Sequence, residues 1–305
     1  MSAAARSAVA ASWRRSLTLY ALDPAIEKKP QTLTGIELRA AQQAMEPMVR
    51  AAQSALDRLY LAVGNSGCCV LLTDHRGVPV DRRMSVADEE TFHDWGLWPG
   101  AVWSEASEGT NGIGTCLAEG RALTIHRDQH FRTRNTLLSC TVAPVYDHRG
   151  RLAGALDVSS ARGDLNEAMV GLIGAAVVDA ARTIEIQHFR QAFPAARIVL
   201  VPDAERTSAA LLAVDASDLV IGATRAARLS LGITDAQIAA ELPAPDVLAS
   251  GRPADDAELI AAERGAVKRA LARTNGNVSA AAKLLGVSRA TMHRKLARLG
   301  LARAH

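Results

Sequence analysis

Residues 275–299 constrain the fold more tightly than any other stretch, because they read as two short helices separated by a tight turn. The first helix, 278–285, is rich in Ala and Leu, and Ser279 is placed to cap it. Gly286 follows at a position where helices commonly end in a left-handed residue. Ser288 then caps the second helix, whose apolar residues recur at spacings of four and three and predict one buried stripe. That stripe consists of Met292, Leu296 and Leu299.

The second helix is strongly basic outside this stripe. Residues 264–305 hold ten of the 35 Lys and Arg residues and none of the 32 Asp and Glu residues, which leaves 25 basic and 32 acidic residues, a net charge of −7, elsewhere. Basic clusters neutralise phosphates, and a basic helix that follows a short glycine-containing turn suits the major groove of DNA. The alternative is a solvated basic hairpin that binds another protein.

The run 276–296 resembles the Fis-type helix-turn-helix at the C-terminus of bacterial enhancer-binding regulators, over roughly 258–302. The resemblance implies a recognition helix that contacts double-stranded DNA, and an upstream helix, 256–274, that pairs across a homodimer. The implied DNA contacts are Asn277, Ser279, Ser288, Arg289, Thr291, His293, Arg294, Lys295 and Arg298. The apolar positions of the upstream helix are Leu259, Ile260, Ala266, Val267, Ala270 and Leu271.

Length and composition bound the rest of the chain. With 305 residues we expect two or three domains, and 49% apolar but only 4% aromatic residues predict cores of Ala, Val, Leu and Ile. The sequence has no long uncharged apolar run and no signal-peptide pattern, so we expect a cytoplasmic protein without a membrane segment. The four cysteines form no C-x-x-C pair and are expected to be free thiols.

The composition divides the chain into four parts. These are a helical segment, 1–66; an α+β domain, 67–190; a weaker segment and linker, 195–250; and the helix-turn-helix domain, 255–303. Residues 35–63 predict an amphipathic helix, in which Pro47 favours a kink or a break into two helices. Its apolar positions are Leu38, Ala41, Met45, Val49, Ala52, Leu56 and Leu59.

Short apolar runs separated by tight turns predict an antiparallel sheet in the second part. The predicted strands are 68–73, 78–80, 123–126, 137–146 and 152–159, and a helix at 166–189 closes the domain. That helix carries apolar residues on one side, at Met169, Leu172, Ile173, Ala176, Val177, Ala180 and Ile184. In the third part we expect strands at 211–215 and 219–222, a helix at 224–231 and a linker from about 243 to 253.

Five separated blocks resemble the GAF domain of the acetoin-catabolism regulator family, over most of 12–190. The blocks are 12–14, 103–105, 108–115, 137–145 and 154–159. The resemblance implies a GAF-like antiparallel sheet with flanking helices that binds a small-molecule effector, followed by a degenerate PAS-like piece at 211–231. Three of the four tryptophans fall within 95–103, so aromatic groups are candidates for lining the pocket, with ordinary packing as the alternative. The candidate effector contacts are Phe92, Trp95, Trp98, Trp103, Thr110, Asn111, Phe131, Cys140 and Tyr146.

The Gly-rich run 109–114 lacks the Lys-Ser/Thr of a phosphate loop. We expect its glycines to supply tight turns while Thr110 and Asn111 bond locally to the main chain. Direct ligand contact is the alternative. His126 and His130, four residues apart, and the four cysteines leave a metal or redox sensor open, although neither spacing is that of a metal site. We predict no cofactor, no metal site and no catalytic grouping.

The family that this chain resembles carries a central AAA+ ATPase that remodels polymerase. Fewer than 70 residues lie between the sensory part and the helix-turn-helix here, with no phosphate-binding motif, and a domain of that kind needs a larger core. The sequence therefore predicts a one-component regulator that acts on promoters without ATP-driven remodelling. We expect shifts of the helices at 37–63 and 166–189 to couple effector binding in the second part to the DNA-binding helices. The alternative is an architectural DNA-binding protein that needs no ligand.

Overall fold

In the first of two units of the chain, Met1–Ala244, five antiparallel strands form the central sheet, in the order β2-β1-β5-β4-β3. The strands are β1 (Cys68–Thr73), β2 (Pro79–Met84), β3 (Leu123–His126), β4 (Ser139–Tyr146) and β5 (Leu152–Ser160). The computed structural model describes residues 7–26, 30–63, 67–201, 210–248 and 256–301. The predicted antiparallel sheet is confirmed: tight turns join β1 to β2 and β4 to β5, and β1 pairs with β5 in the middle of the sheet.

Two long helices cover one face of this sheet. They are α2 (Gly35–Val63) and α6 (Glu167–Ala192), which Asn166 caps through the Met169 N–H. The α2 helix continues through Pro47, so the predicted break into two helices is wrong. Buried Met45, Met48, Ala51 and Ala52 anchor the chain on both sides of the proline, and this packing offsets the missing N–H bond. Leu172 departs from the predicted buried side of α6 and is 74% exposed.

Short elements and loops cover the other face. They are α1 (Ala8–Thr18), α3 (Glu89–Asp94), α4 (Glu105–Glu108) and α5 (Gly112–Glu119). Register places Leu71, Asp157 and Val142 side by side on three neighbouring strands. Directly paired residues of antiparallel strands project from the same face, so a carboxyl group stands in an apolar row.

A second, three-stranded antiparallel sheet follows α6 in the same unit. It consists of β6 (Arg197–Leu200), β7 (Leu211–Val214) and β8 (Val220–Ala223), and the helices α7 (Arg225–Leu231), α8 (Asp235–Ala239) and α9 (Ala244–Leu248) come next. The two predicted strands and the predicted helix are present. The sequence missed β6, which is short and half-exposed, and α9 occupies the start of the predicted linker. Residues 249–255 of that linker lie outside the described residues.

The second unit, Pro245–His305, contains the predicted helix-turn-helix. Its helices are α10 (Asp256–Arg273), α11 (Val278–Leu284) and α12 (Arg289–Arg298). A small apolar core joins all three and includes the predicted stripe; its buried members are Val267, Ala270, Ala281, Ala282, Met292, Leu296 and Leu299. Ile260 of the predicted upstream stripe is 49% exposed, and the side chain of Leu259 lies outside the described residues.

The turn chemistry agrees with the sequence at two positions and differs at one. Gly286 adopts φ +66°, and Ser288 Oγ accepts the Thr291 N–H at 3.1 Å, as predicted. The cap of α11 is Asn277 rather than Ser279, since Asn277 Oδ1 accepts the Ala280 N–H at 3.1 Å. Ser279 already lies inside α11, whereas a capping residue has an extended backbone and stands directly before the first helical residue.

Within the described ranges, no helix combines the length and apolarity that a bilayer crossing requires.

Candidate nucleic-acid interface and effector regions

The first turn of α12 is held in place by its own side chains. Ser288 Oγ lies 2.9 Å from Thr291 Oγ1, in addition to capping the helix. Arg294 donates from Nη2 to Thr291 Oγ1 at 3.4 Å. Thr291 is therefore already engaged on both sides, and its hydroxyl helps to orient the Arg294 guanidinium.

Three basic groups of α12 face away from the core of the unit. Arg289, His293 and Arg294 are exposed, while Met292 and Leu296 on the opposite side of the helix are buried. Within the described part of the chain, Arg289 and His293 form no side-chain hydrogen bond or ion pair. An exposed Arg at the N-terminal end of a recognition helix is suited to base edges in a major groove.

Lys295 and Arg298 stand on a different side of α12, where both pair with Glu263 of α10. The hydrogen bond from Lys295, with the charge of Arg298, holds the pKa of the Glu263 carboxyl below its ordinary value. Sequence reasoning missed this pair because the partners lie more than 30 positions apart; the signal was that Glu263 is the last acidic residue before the basic tail. The structure thus separates the predicted contacts into unpaired and paired cations.

The remaining predicted contacts lie on α11. The Asn277 side chain uses its Oδ1 atom as the helix cap, and Ser279, two positions further on, is exposed. All nine predicted DNA contacts therefore fall on α11, the turn and α12, as backbone-contact and recognition positions of one helix pair do.

In the first unit, the Gly-rich run forms a tight structural corner. Gly109 adopts φ +66° and ψ −153°, and Asn111 bridges the corner by donating to the Gly109 carbonyl and accepting from the Gly114 N–H, both at 2.8 Å. A Cβ on Gly112 would lie 2.6 Å from Cys140 Cβ. The geometry agrees with the turn role that we expected for the glycines and Asn111.

Thr110 corrects one part of that expectation. Its hydroxyl accepts from Ser12 Oγ at 2.9 Å instead of bonding to the local main chain, because α1 packs directly over the corner. Ser12 Oγ also lies 3.0 Å from Thr115 Oγ1, and all three side chains are fully buried. The two separated sequence blocks 12–14 and 108–115 are thus in direct contact in the fold.

Arg15 fastens the same helix to the domain by charge. Its Nε and Nη2 atoms donate to the two oxygens of Glu105 at 2.7 and 2.8 Å, and Nη1 lies 2.9 Å from Glu119. The bond to Glu105 raises the pKa of the Arg15 guanidinium above its ordinary value. Bidentate pairs of this kind fix direction as well as position.

The nine candidate effector contacts do not gather in one place. Phe92, Trp103 and Cys140 belong to one buried cluster, and the half-buried Trp95 packs against it. Trp98 lies instead under the Arg82 guanidinium, whose carbon is 3.7 Å from its ring.

Two further candidates occupy other parts of the domain. Phe131 is buried beside Trp13 of α1, with ring centroids 5.0 Å apart. Tyr146 lies near the end of β4 and donates from Oη to the Gly120 carbonyl at 2.9 Å. Most of the aromatic candidates therefore serve packing, and Tyr146 borders a separate cleft.

A buried carboxyl group that the sequence did not single out lies beside the cluster. Asp157 Oδ2 accepts from Ser159 Oγ at 2.7 Å, and that hydroxyl is 3.0 Å from Cys140 Sγ. Oδ1 has no hydrogen-bond partner among the described residues, and burial raises the pKa of the carboxyl to about 7. An uncompensated buried carboxylate is costly, so the proton stays on this group at higher pH than usual.

The metal and redox candidates are placed as structural groups. His126 Nδ1 lies 2.9 Å from Ser139 Oγ, and His130 Nδ1 lies 2.9 Å from the Arg127 carbonyl. Burial lowers the pKa of His130 to about 4 and raises the pKa values of Cys69, Cys116 and Cys140. Among the described residues, His, Cys, Asp and Glu side chains form no group of three that could hold a metal ion.

Comparison with known proteins assigns both parts of the chain. Residues 47–184 match the GAF domain, and residues 260–299 match the Fis family of bacterial regulatory proteins. The acetoin catabolism regulatory protein of Cupriavidus necator is 35% identical over 224 residues, which are 72% of this chain and 34% of that protein. The acetoin dehydrogenase operon transcriptional activator AcoR of Bacillus subtilis is 28% identical over 184 residues, 59% of this chain and 29% of that protein.

The chain thus spans about a third of the length of these curated relatives. A solved structure of the Escherichia coli DhaR(N)–DhaL complex has a chain that superposes with a TM-score of 0.53 at 17% identity, covering 74% of this chain and 76% of that chain, so the fold is shared. Only residues 185–259 separate the two matched segments, which leaves no room for a central AAA+ domain. The chain is therefore a GAF domain joined to a Fis-type helix-turn-helix domain, similar to acetoin-catabolism regulators but without a central AAA+ domain.

Proposed function

We propose that the protein is a DNA-binding transcription regulator, not an enzyme, that acts as a homodimer on a promoter or operator. The observation that carries the proposal is the outward-facing, unpaired Arg289 at the start of α12, beside exposed His293 and Arg294. Two recognition helices of this type read half-sites about one helical turn apart, which requires two copies of the chain. Leu61 and Leu172, both at least 70% exposed on α2 and α6, support an apolar contact between copies.

We propose further that the GAF domain makes the response to DNA dependent on a small-molecule effector, in the cytoplasm. The described residues between the GAF and Fis-type domains form a small three-stranded sheet with short helices, and on this basis the regulator acts without ATP-driven remodelling of polymerase. Control then comes from occluding the promoter or from contact with polymerase. The buried thiols argue against a redox sensor, because oxidation needs an accessible thiolate.

The central test uses the purified full chain and an operator selected from random duplexes. Arg289→Ala is expected to weaken binding to the selected operator by about 1–3 kcal/mol, and to relax the preference at one base pair, if Arg289 reads a base edge. Arg50→Ala is the matched control, since it removes an exposed arginine of α2 that is not among the predicted DNA contacts, and it should leave both affinities unchanged. Fluorescence anisotropy at one fixed salt concentration measures both variants on operator and on random DNA.

Two results would refute parts of this proposal. Equal losses by Arg289→Ala on operator and random DNA would reduce Arg289 to a phosphate contact. Selection that recovers no preferred sequence would instead favour a ligand-independent architectural protein. An effector is sought separately by thermal shift of the full chain, because a ligand that binds only the native state raises the apparent unfolding temperature.

A further inference from the structure

A cleft of about 350 Å³ lies in the first unit where the GAF sheet, α6 and α7 meet. Tyr146 of β4 and Pro144 form one wall, and α6 contributes Arg182 and Glu185. The third side is α7, with Arg225 and Leu229. This volume falls at the lower end of the range for small-molecule sites.

Two of the three arginines that line the cleft have, in the described part of the chain, no hydrogen-bond or ion-pair partner for their guanidinium groups. Within the described residues, neither the Arg182 nor the Arg225 side chain forms a hydrogen bond or an ion pair. Arg121, at the rim, lies 3.8 Å from Glu119. Guanidinium groups present a planar fork of donors that matches a carboxylate, so two unpaired forks at one cleft favour an anionic ligand.

The floor of the cleft is fixed before any ligand arrives. Tyr146 donates its backbone N–H to Glu185 Oε1 at 2.9 Å and its hydroxyl to the Gly120 carbonyl at 2.9 Å. The guanidinium carbon of Arg225 stands 4.4 Å from the centre of the Tyr146 ring. This stacking holds α7 against the GAF sheet and orients one of the two cations.

Glu185 is the acidic side chain among the described residues that line the cleft; its burial disfavours the charged form, whereas the Tyr146 N–H, Arg182 and Arg225 favour it. Burial raises the pKa of this carboxyl to about 7. In its protonated form Glu185 is a hydrogen-bond donor, which suits an anionic neighbour. The remaining wall is made of apolar side chains: Ala122, Ala143, Pro144, Val178, Ala181 and Leu229.

We propose that this cleft binds a small organic carboxylate, with the carboxylate on Arg182 and Arg225 and the carbon skeleton against Tyr146 and the apolar wall. Inorganic anions fit the cations but leave this wall unused. The cleft lies outside the buried cluster that contains Phe92, Trp103 and Cys140. The binding of a carboxylate in the cleft is independent of the proposed function. Any control of DNA binding by that carboxylate rests on the proposed function.

The test is calorimetric titration of the full chain with propionate, butyrate and benzoate, each paired with its neutral amide, and with inorganic phosphate. We expect at least one carboxylate to bind more tightly than its amide and than phosphate. Arg182→Gln and Arg225→Gln should each weaken it about tenfold or more, the size expected for one charge-assisted hydrogen bond. Arg190→Gln, an exposed cation of α6 outside the cleft, is the matched control and should leave the affinity unchanged.

Three outcomes would overturn the proposal: no carboxylate of the panel binds, the amide or phosphate binds as well, or the double variant Arg182→Gln/Arg225→Gln binds like the unaltered chain. Circular dichroism checks that the variants fold. Operator binding without carboxylate is measured on the same variants and should match the unaltered chain. If the unaltered chain binds the operator no more tightly than random DNA, the proposed function is refuted, but the carboxylate titration remains valid.

Discussion

Replacing Arg15 by Gln tests how α1 is attached to the GAF domain. The guanidinium bonds both oxygens of Glu105, whose side chain is only 2% exposed, and it also contacts Glu119. The substitution keeps much of the side-chain length but leaves the buried Glu105 carboxylate without its cation. We expect the substitution to destabilise the first unit, and the size of the stability loss follows from the burial of Arg15 and Glu105.

Removing one partner of a buried ion pair costs about 3–5 kcal/mol, because an uncompensated charge remains in a poorly solvated place. Arg15 is 29% exposed, so we expect the lower end, about 3 kcal/mol. Glu105→Gln should cost less, about 1–2 kcal/mol, because Arg15 retains Glu119 and reaches water. The double variant should lose less than the two single variants together, since neither charge is then left unpaired.

Urea unfolding followed by tryptophan fluorescence measures these differences. All four tryptophans lie between residues 13 and 103, so the signal reports the first unit and not the helix-turn-helix. Arg50→Gln is the control, because its pair with Glu46 is 64% and 56% exposed and should contribute at most about 0.5 kcal/mol. A loss for Arg15→Gln no larger than that of Arg50→Gln would refute the reasoning.

Three further predictions concern other sites. Because the pKa of Asp157 rises from 3.8 to about 7 on folding, its contribution to stability is greatest below pH 4 and is lost as pH rises towards 7. In urea unfolding, Asp157 should lower the free energy of unfolding of the unaltered chain by about 3 kcal/mol between pH 5 and 8, and Asp157→Asn should abolish this decline. His130, whose pKa is lowered, contributes in the opposite direction in both proteins, so its effect cancels in the comparison. Gly112→Ala should destabilise the first unit by about 1–3 kcal/mol in the same assay, because the new Cβ would lie 2.6 Å from Cys140 Cβ. Glu263→Gln should free its two basic partners on α12, so that the slope of log K against log salt for DNA binding steepens by about 1–2.

Each of these has a result that contradicts it. An unchanged pH dependence in Asp157→Asn would mean that this carboxyl is ionised in the native state at pH 5. A Gly112→Ala variant as stable as the unaltered chain would mean that the corner yields to an added methyl group. An unchanged salt slope in Glu263→Gln would show that Lys295 and Arg298 do not face DNA phosphates.

The helix-turn-helix was predictable because its determinants are local. Gly286 ends one helix, Ser288 caps the next, and the stripe of Met292, Leu296 and Leu299 repeats within three turns. The antiparallel strands follow from the same short-range alternation of apolar runs and turns. Even here the sequence misplaced one cap, since Asn277 and Ser279 lie two positions apart and both are good capping residues.

Tertiary structure alone decided which distant side chains meet. Arg15 finds Glu105 across 90 positions, and Glu263 finds Lys295 across 32, so no periodic pattern in the chain signals either pair. Asp157 looks like an ordinary strand residue until the register sets it in an apolar row under the glycine corner. Local propensity depends on neighbours within a few residues, whereas burial, ion pairing and the shape of a cleft depend on how separate elements pack, and the sites that distinguish this chain arise from that packing.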